Sequence, residues 1–174
     1  VGDSITTGTL CPGTSIQANG DIVISNKSLL VAGTYNLSVL ARDQKGGAAI
    51  INVSYTIYPV LTAGAVSTSG TTTYCVSGDP AVIGSASLPT GGNSSFTYQW
   101  QSSTDGSTFT DIPSATGTTY DPPTLTPVAT TTYYYKRNEI SASCTVSSNT
   151  VSFVVNVAPV ASAGTNKTIN NTQS

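Results

Sequence analysis

The sequence predicts an all-β protein made of successive antiparallel β modules, and three features of the chain indicate this. Apolar and polar residues alternate with a period of two in several stretches, which is the pattern of strands with one buried face. Gly, Pro, Asn and Asp separate these stretches and supply turn conformations. No stretch shows the 3.6-residue apolar period of an amphipathic helix. We therefore expect tandem antiparallel β-sandwich modules.

The first predicted module covers residues 1–59 and centres on a long hairpin. Residues on one face are mostly apolar from Tyr35 to Ala41 and again from Ala49 to Ile57. Between these runs, Asp43–Gly47 ends in two glycines and predicts the turn. Residues 1–19 are poor in apolar side chains, so we expect this module to be short of strands on its N-terminal side.

The second predicted module covers residues 60–158. Alternation from Phe96 to Gln101 precedes the dipeptide Asp105-Gly106, which strongly favours a hairpin. A last alternating run extends from Val151 to Val157. About seven strands in a module of this length fit a β-sandwich.

The tail, residues 159–174, follows the two modules and contains few large apolar residues. We expect it to be a linker, the start of a next repeat or a strand donated to a neighbouring copy. The chain begins at Val1 without a charged leader, and we expect both ends to continue into a longer protein.

Composition and charge exclude several classes of function. The net charge is −2 and only 8% of residues are charged, so the chain has no basic surface for nucleic acid. It contains no apolar run long enough to span a membrane. Because there is no His, Ser-His and Cys-His nucleophiles are excluded. The acidic residues are scattered through predicted turns. We expect no enzymatic activity and no cofactor other than the calcium considered below.

Three cysteines, Cys11, Cys75 and Cys144, lack the spacing of metal ligands. An oxidising compartment, with one disulfide and one remaining thiol, is the natural interpretation. Three single pairings are open, and we favour Cys75 with Cys144 because both lie in the second module. The alternative is three unpaired cysteines in a reducing compartment.

Four short motifs stand out in the second module: Thr97–Gly106, Phe109–Ile112, Thr131–Tyr135, and Cys144 shortly before Ser148–Val151. Together they resemble the Ig-like repeats of very large Bacteroidetes surface adhesins, including gliding-motility adhesins exported by the type IX secretion system. The resemblance covers residues 61–157. It implies an Ig-like fold, an extracellular adhesive or stalk function, and a bridge between Cys75 and Cys144.

The first module carries a second resemblance. Gly33–Val39, Ala41–Asp43 and Gly46-Gly47 are similar to the last two strands of cadherin-like repeats, over residues 20–57. The calcium-binding linker motifs of cadherins are absent. Asp43 alone stands where an acidic family residue would, so Asp43 with Asp21 is the candidate calcium site. An ordinary turn aspartate is the alternative.

Three further residues are candidates for recognition or modification. Asp3-Ser4-Ile5 resembles the short O-glycosylation motif of the same bacterial phylum, which makes Ser4 a candidate acceptor. Trp100 is a candidate platform for stacking on a sugar, although a core Trp on a central strand is the stronger interpretation. Tyr134 points away from the face shared by its two neighbouring tyrosines, so we expect it to be half exposed and able to contact a ligand.

Three functions follow as hypotheses. The first is a structural or adhesive repeat of a long protein on the bacterial cell surface, whose partners are adjacent repeats. The second is a filament subunit that donates Val160–Ile169 to a neighbouring copy as an added strand. The third is a carbohydrate-binding module for surface glycans that uses Trp100 or Tyr134. We expect no nucleic-acid partner and no insertion into a membrane.

Overall fold

The computed structural model describes residues 4–17, 19, 21–42, 45 and 47–159. These residues form an all-β protein, as the sequence predicts, with one short 3₁₀ turn at Lys27–Leu29. No helix within them has the length and apolar character needed to cross a membrane. They contain thirteen strands: β1 (Ser4–Thr7), β2 (Thr14–Ile16), β3 (Ile22–Ile24), β4 (Gly33–Arg42), β5 (Ala48–Ile57), β6 (Ala65–Thr68), β7 (Thr73–Cys75), β8 (Ile83–Ser87), β9 (Thr97–Ser103), β10 (Thr110–Asp111), β11 (Thr131–Ser141), β12 (Cys144–Ser147) and β13 (Val151–Asn156).

Contacts within the chain divide it into two compact units. The first unit comprises Val1–Gly64, Leu88–Thr97 and Glu139–Val146. The second comprises Ala65–Ser87, Tyr98–Asn138 and Ser147–Ser174. Each unit is thus assembled from three separate stretches of sequence.

The first unit is built on the long β4–β5 hairpin that the sequence predicts. The two strands pair antiparallel in an unbroken register from Gly33↔Ile57 to Arg42↔Ala48. β1 pairs with the other side of β4, and β2 pairs with β3 in a separate two-stranded sheet. Leu37 of β4 is buried, whereas most of β5 is exposed. β5 is therefore an outer strand, and its second edge has no strand beside it in the described part of the chain.

Another group of contacts in the first unit surrounds the residues that precede β6. Thr62 and Thr90 form an antiparallel bridge with two backbone hydrogen bonds of 2.8 and 3.0 Å. The backbone amide of Gly64 donates to Oε2 of Glu139 over 2.7 Å. Glu139 is fully buried, so this hydrogen bond helps to compensate the desolvation of its carboxylate.

The second unit contains two sheets. The larger sheet has the strand order β10-β9-β11-β13-β7, with β12 also paired to β11, while β6 and β8 form the smaller sheet. The β9–β10 hairpin confirms the turn predicted at Asp105-Gly106. Whereas the β9–β10, β11–β13 and β6–β8 pairs are antiparallel, β13 and β7 run parallel from Val154↔Thr73 to Asn156↔Cys75.

Side chains from both sheets of the second unit meet in one apolar core. The larger sheet contributes aromatic and β-branched residues, and the smaller sheet contributes one residue from each strand. The buried members of this core are Trp100, Tyr135, Phe153, Val155, Val66, Ile83 and Leu125. The alternation that predicts strands also predicts that Tyr133 and Tyr135 share one face, and Tyr133 packs against this core beside Tyr135.

The second unit also buries an arginine. Arg137 is fully buried, whereas the adjacent Lys136 is on the other face of β11, as the alternation predicts. The Arg137 guanidinium donates to Oγ of Ser85 over 2.8 Å and to the carbonyl oxygen of Thr118 over 2.5 Å. It also lies 4.5 Å from the ring centroid of Tyr98. These partners compensate the loss of hydration of the cation.

Candidate functional site

Trp100 is a core residue, so the prediction that it offers a stacking platform is wrong. Its side chain is 0% exposed, and its Nε1 donates to the carbonyl oxygen of Gly117 over 2.9 Å. The indole ring lies 5.8 Å from the ring of Tyr120. A ligand cannot reach a ring that is closed off on all sides, and the indole N–H already has its acceptor.

Tyr134 is half-buried, and its ring lies against the turn of the β9–β10 hairpin. A Cβ added to Gly106 would come within 3.3 Å of the Tyr134 ring, and Gly106 has a φ of +72°. The turn therefore needs glycine both for its backbone conformation and for the close approach of the ring. The turn covers part of one face of the Tyr134 ring. A role of Tyr134 in ligand binding stays a prediction.

The second unit has an open cleft of about 430 Å³ that contains neither of these two residues. We call it the tyrosine cleft. Hydroxyl side chains of the β9–β10 hairpin line one part of it, and three tyrosines with apolar neighbours line the rest. The lining residues are Ser102, Ser103, Thr104, Thr108, Thr110, Ile112, Tyr120, Pro123, Leu125, Tyr133 and Tyr135. None of these side chains carries a charge at neutral pH.

The hydroxyl-bearing part of the cleft is held in place by Asp105. Oδ1 of Asp105 accepts hydrogen bonds from the backbone amides of Ser107 and Thr108, each over 2.7 Å. The Ser103 hydroxyl donates to the same oxygen, also over 2.7 Å. These hydrogen bonds, led by that from Ser107, lower the pKa of Asp105 well below its usual range. The carboxylate therefore stays ionised and fixes the turn that carries Thr104 and Thr108.

The aromatic part of the cleft continues into the core. The Tyr120 and Tyr135 rings lie 5.6 Å apart, and Tyr135 meets Phe153 edge-on at 6.0 Å. Burial raises the pKa of Tyr135 to about 12, with further contributions from Tyr120 and Tyr133. Burial, followed by the charge of Asp121, also raises the pKa of Tyr120. Both phenols therefore remain protonated and neutral, able to donate a hydrogen bond and to accept one.

The predicted bridge between Cys75 and Cys144 is not formed, and both thiols are exposed. Cys75 is the last residue of β7 and lies opposite Asn156, the last residue of β13. This end of β13 pairs with Thr131, the first residue of β11. Cys144 instead follows the other end of β11, just after Ser141. The two ends of this strand lie about 30 Å apart at roughly 3.3 Å per residue. A disulfide needs Cα atoms within about 7 Å of each other, so sheet pairing separates the two cysteines.

The other predicted site residues lie in the first module. Asp21 is exposed, and its Oδ2 accepts a hydrogen bond from Nδ2 of Asn19 over 2.7 Å. Its proposed calcium partner, Asp43, lies outside the described residues. Of the residues described, no three His, Cys, Asp or Glu side chains group as metal ligands would. Ser4 begins β1, but its side chain lies outside the description, so glycosylation there stays a prediction.

A protein-family model described as a domain of unknown function (DUF8696) matches residues 63–157, which is more than half of the chain. The chain belongs to this family. The matched residues include β6 to β13 and every residue that lines the tyrosine cleft. The chain has no match among curated proteins. The family therefore covers the core and the cleft, but its description assigns no function to them.

The cleft cannot be predicted from sequence patterns because its residues come from three separate segments. Tyr120 precedes a pair of prolines, which marks a loop but gives no sign that its ring meets Tyr135. Thr108 and Thr110 resemble any other threonine of a Thr-rich chain. The sequence does predict that Tyr133 and Tyr135 share one face of a strand, but this pattern indicates a core position and not a cleft.

Proposed function

We propose that this protein is a non-enzymatic structural and adhesive segment of a large extracellular protein on a bacterial surface. In this proposal the second unit is an Ig-like β-sandwich. The observation that carries the proposal is the position of the segments at the two ends of the family-matched region, residues 63–157.

The entering segment, at the N-terminal end of this region, begins beside the start of β13. Nδ2 of Asn149 donates to the carbonyl oxygen of Val66 over 2.9 Å, and the Val66 amide donates to Oδ1 of Asn149 over 2.8 Å. The chain leaves after Asn156, at the other end of β13. There the amide of Val157 donates to Oγ1 of Thr130 over 3.4 Å. At about 3.3 Å per residue, Asn149 and Val157 are about 25 Å apart along β13.

The entering and leaving segments run side by side in the same direction. Val66 of β6 lies beside Asn149, just before β13 begins. Further along both segments, the carbonyl oxygen of Thr72 accepts a hydrogen bond from the amide of Val154 over 2.8 Å. β7 then continues parallel to β13, and the amide of Val76 donates to the carbonyl oxygen of Asn156 over 2.6 Å. Tension applied to the two ends loads these bonds together, in shear. A spacer that transmits tension benefits from this arrangement.

The interior of the second unit also suits a passive, durable module. Aromatic and β-branched side chains of both sheets fill the core, and the buried Arg137 has several partners. Within the described residues, no buried side-chain nitrogen or oxygen lacks a hydrogen-bond partner. Such an interior leaves little driving force for partial opening.

Localisation on intact cells tests the proposal. Antibodies raised against the whole chain should label unbroken cells of the source bacterium. Brief treatment with external protease should remove the label while a cytoplasmic marker protein survives. Labelling that appears only after cell lysis would contradict an extracellular location and with it the proposed function.

A second candidate function, assembly into filaments by strand addition, is favoured by the exposed edge of β5. This strand carries no charged residue, and Ile50 and Ile51 are 66% and 53% exposed. A groove of about 320 Å³ lies between β3 and β5. It is lined by Thr14, Asp21, Ile22, Val23, Ile24, Val53, Tyr55 and Ile57. Unpaired, uncharged edges of this kind accept added strands.

The strand to be added would be Val160–Ile169 of a neighbouring copy, which lies outside the described residues. Size-exclusion chromatography with light scattering should then show polymers that disappear when residues 159–174 are deleted. Ile50→Lys, which places a charge on the edge, should have the same effect, whereas Val128→Lys should not, since Val128 is fully exposed outside β5. A monomeric whole chain at high concentration would exclude this candidate.

A further inference from the structure

The lining of the tyrosine cleft combines two kinds of side chain. Part of it is apolar and aromatic and includes Leu125, Ile112 and the rings of Tyr120 and Tyr135. The rest consists mainly of hydroxyl side chains from the β9–β10 hairpin, of which Thr108 and Thr110 are exposed. A volume of about 430 Å³ is within the usual range of small-molecule sites.

The absence of charge from the lining of the cleft restricts the class of ligand. An anionic or cationic ligand would lose hydration on entering without meeting an opposite charge. A nucleic acid would need cations for its phosphates. A purely apolar ligand would cover the exposed hydroxyls of the hairpin without offering them a hydrogen bond.

We propose that the tyrosine cleft binds a neutral carbohydrate, with sugar ring faces against Tyr133 and Tyr120 and sugar hydroxyls bonded to Thr108 and Thr110. A sugar ring has apolar C–H faces and hydroxyl groups at its edges. It can therefore contact both the apolar and the hydroxyl side chains of the lining. Hydroxyl side chains both donate and accept, so they can pair with sugar hydroxyls in either sense. The aromatic rings supply apolar contact area at a low cost in conformational entropy.

The position of the cleft is fixed before a ligand arrives. Asp105 holds the hairpin turn through the hydrogen bonds described above, and the tyrosine floor continues into the packed core. A pre-formed site loses little freedom on binding, which favours affinity even for a shallow cleft. This inference goes beyond the proposed function, which names no ligand and no binding site.

Binding of neutral and acidic oligosaccharides to the whole chain tests the inference. The neutral probes are the hexasaccharides of glucose in β-1,4 and β-1,3 linkage, of xylose, of mannose and of N-acetylglucosamine, and the acidic probe is oligogalacturonate. Isothermal titration calorimetry should detect at least one neutral probe, with an affinity that is equal at low and high salt. The double variant Thr108→Val/Thr110→Val should weaken that binding about tenfold or more, since two hydrogen bonds are removed.

Thr145→Val is the matched control, because Thr145 is an exposed strand threonine of β12 outside the cleft. It should bind the neutral probe as the unaltered chain does, and circular dichroism should verify that both variants fold. Three results would overturn the inference: no neutral probe bound at millimolar concentration, unchanged binding by the folded double variant, or preference for oligogalacturonate. None of these results would bear on localisation, so the proposed function can fail or survive separately.

Discussion

At the scale of single residues, two of the few charged side chains in the described part of the chain are fully buried, where electrostatic interactions are strongest. Only 8% of residues are charged, yet Arg137 and Glu139 are both fully buried on the same face of β11. Each has polar partners from distant parts of the sequence: Ser85 and Thr118 for the arginine, and Gly64 for the glutamate. These residues therefore fix the positions of connecting segments that apolar packing alone would leave less specified.

Removing the buried arginine should destabilise the protein strongly. Arg137→Ala deletes the hydrogen bonds to Ser85 and Thr118 and leaves a cavity, so we expect the free energy of unfolding to fall by about 3–5 kcal/mol. Lys136→Ala is the control. Lys136 lies on the opposite face with its Nζ 4.2 Å from the ring centroid of Phe109, and its loss should cost less than about 1 kcal/mol. Urea denaturation measures both, and equal losses would contradict this account of Arg137.

The buried phenol of Tyr135 should make the protein sensitive to alkali. Its pKa is raised to about 12, above the value of about 10 in an unfolded chain. The folded state thus favours the protonated phenol. This contribution to stability is fully present below pH 10 and is lost as the pH rises towards 12. Denaturation at a series of pH values should show a smaller alkaline loss for Tyr135→Phe, and identical losses would contradict the assignment.

At the scale of elements, sheet pairing separates residues that lie in one predicted module. Cys75 and Cys144 should each react with a thiol reagent under native conditions, because both are exposed and unpaired. Cys11 is only 1% exposed and should react only after denaturation. Mass spectrometry of the alkylated chain counts the modified thiols, and melting with and without reductant should give the same midpoint. A crosslinked peptide containing Cys75 and Cys144 would contradict the structure.

Elements that depend on neighbouring residues were predicted correctly from the sequence. The β4–β5 hairpin, the Asp105-Gly106 turn and the two faces of β11 all follow from alternation and turn chemistry. The parallel pairing of β7 with β13 was not predicted, because it joins residues about eighty positions apart. The tyrosine cleft was not predicted because its lining comes from three separate segments of the chain.

The burial of Arg137 cannot be predicted from the sequence pattern either. An arginine in an alternating strand is normally assigned to the exposed face or to an edge. Alternation with Lys136 indicated only that the two cations lie on opposite faces. The buried face carries Arg137 because Ser85 and Thr118 supply hydrogen-bond acceptors for its guanidinium, and both residues are remote in sequence.

At the scale of the whole molecule, the proposed function requires the second unit to withstand tension applied along the chain. Its entering and leaving segments run parallel, joined by the Asn149 side chain and by the bonds between β7 and β13. Bonds loaded in shear must break together, whereas bonds loaded as a zipper break one at a time. The unit should therefore unfold at a higher force than it would if the same bonds were loaded one at a time.

Single-molecule pulling on tandem copies of the whole chain measures this resistance. The region between Val66 and Asn156 of each copy should unfold in one step that releases about 300 Å of chain, since each residue extends by at most about 3.6 Å. Asn149→Ala should lower the unfolding force, because it removes both hydrogen bonds that hold Val66. Asn138→Ala should not, since Asn138 bonds Ser147, away from the entering and leaving segments. Equal unfolding forces for the two variants, or extension without a resolvable unfolding step, would contradict the claim.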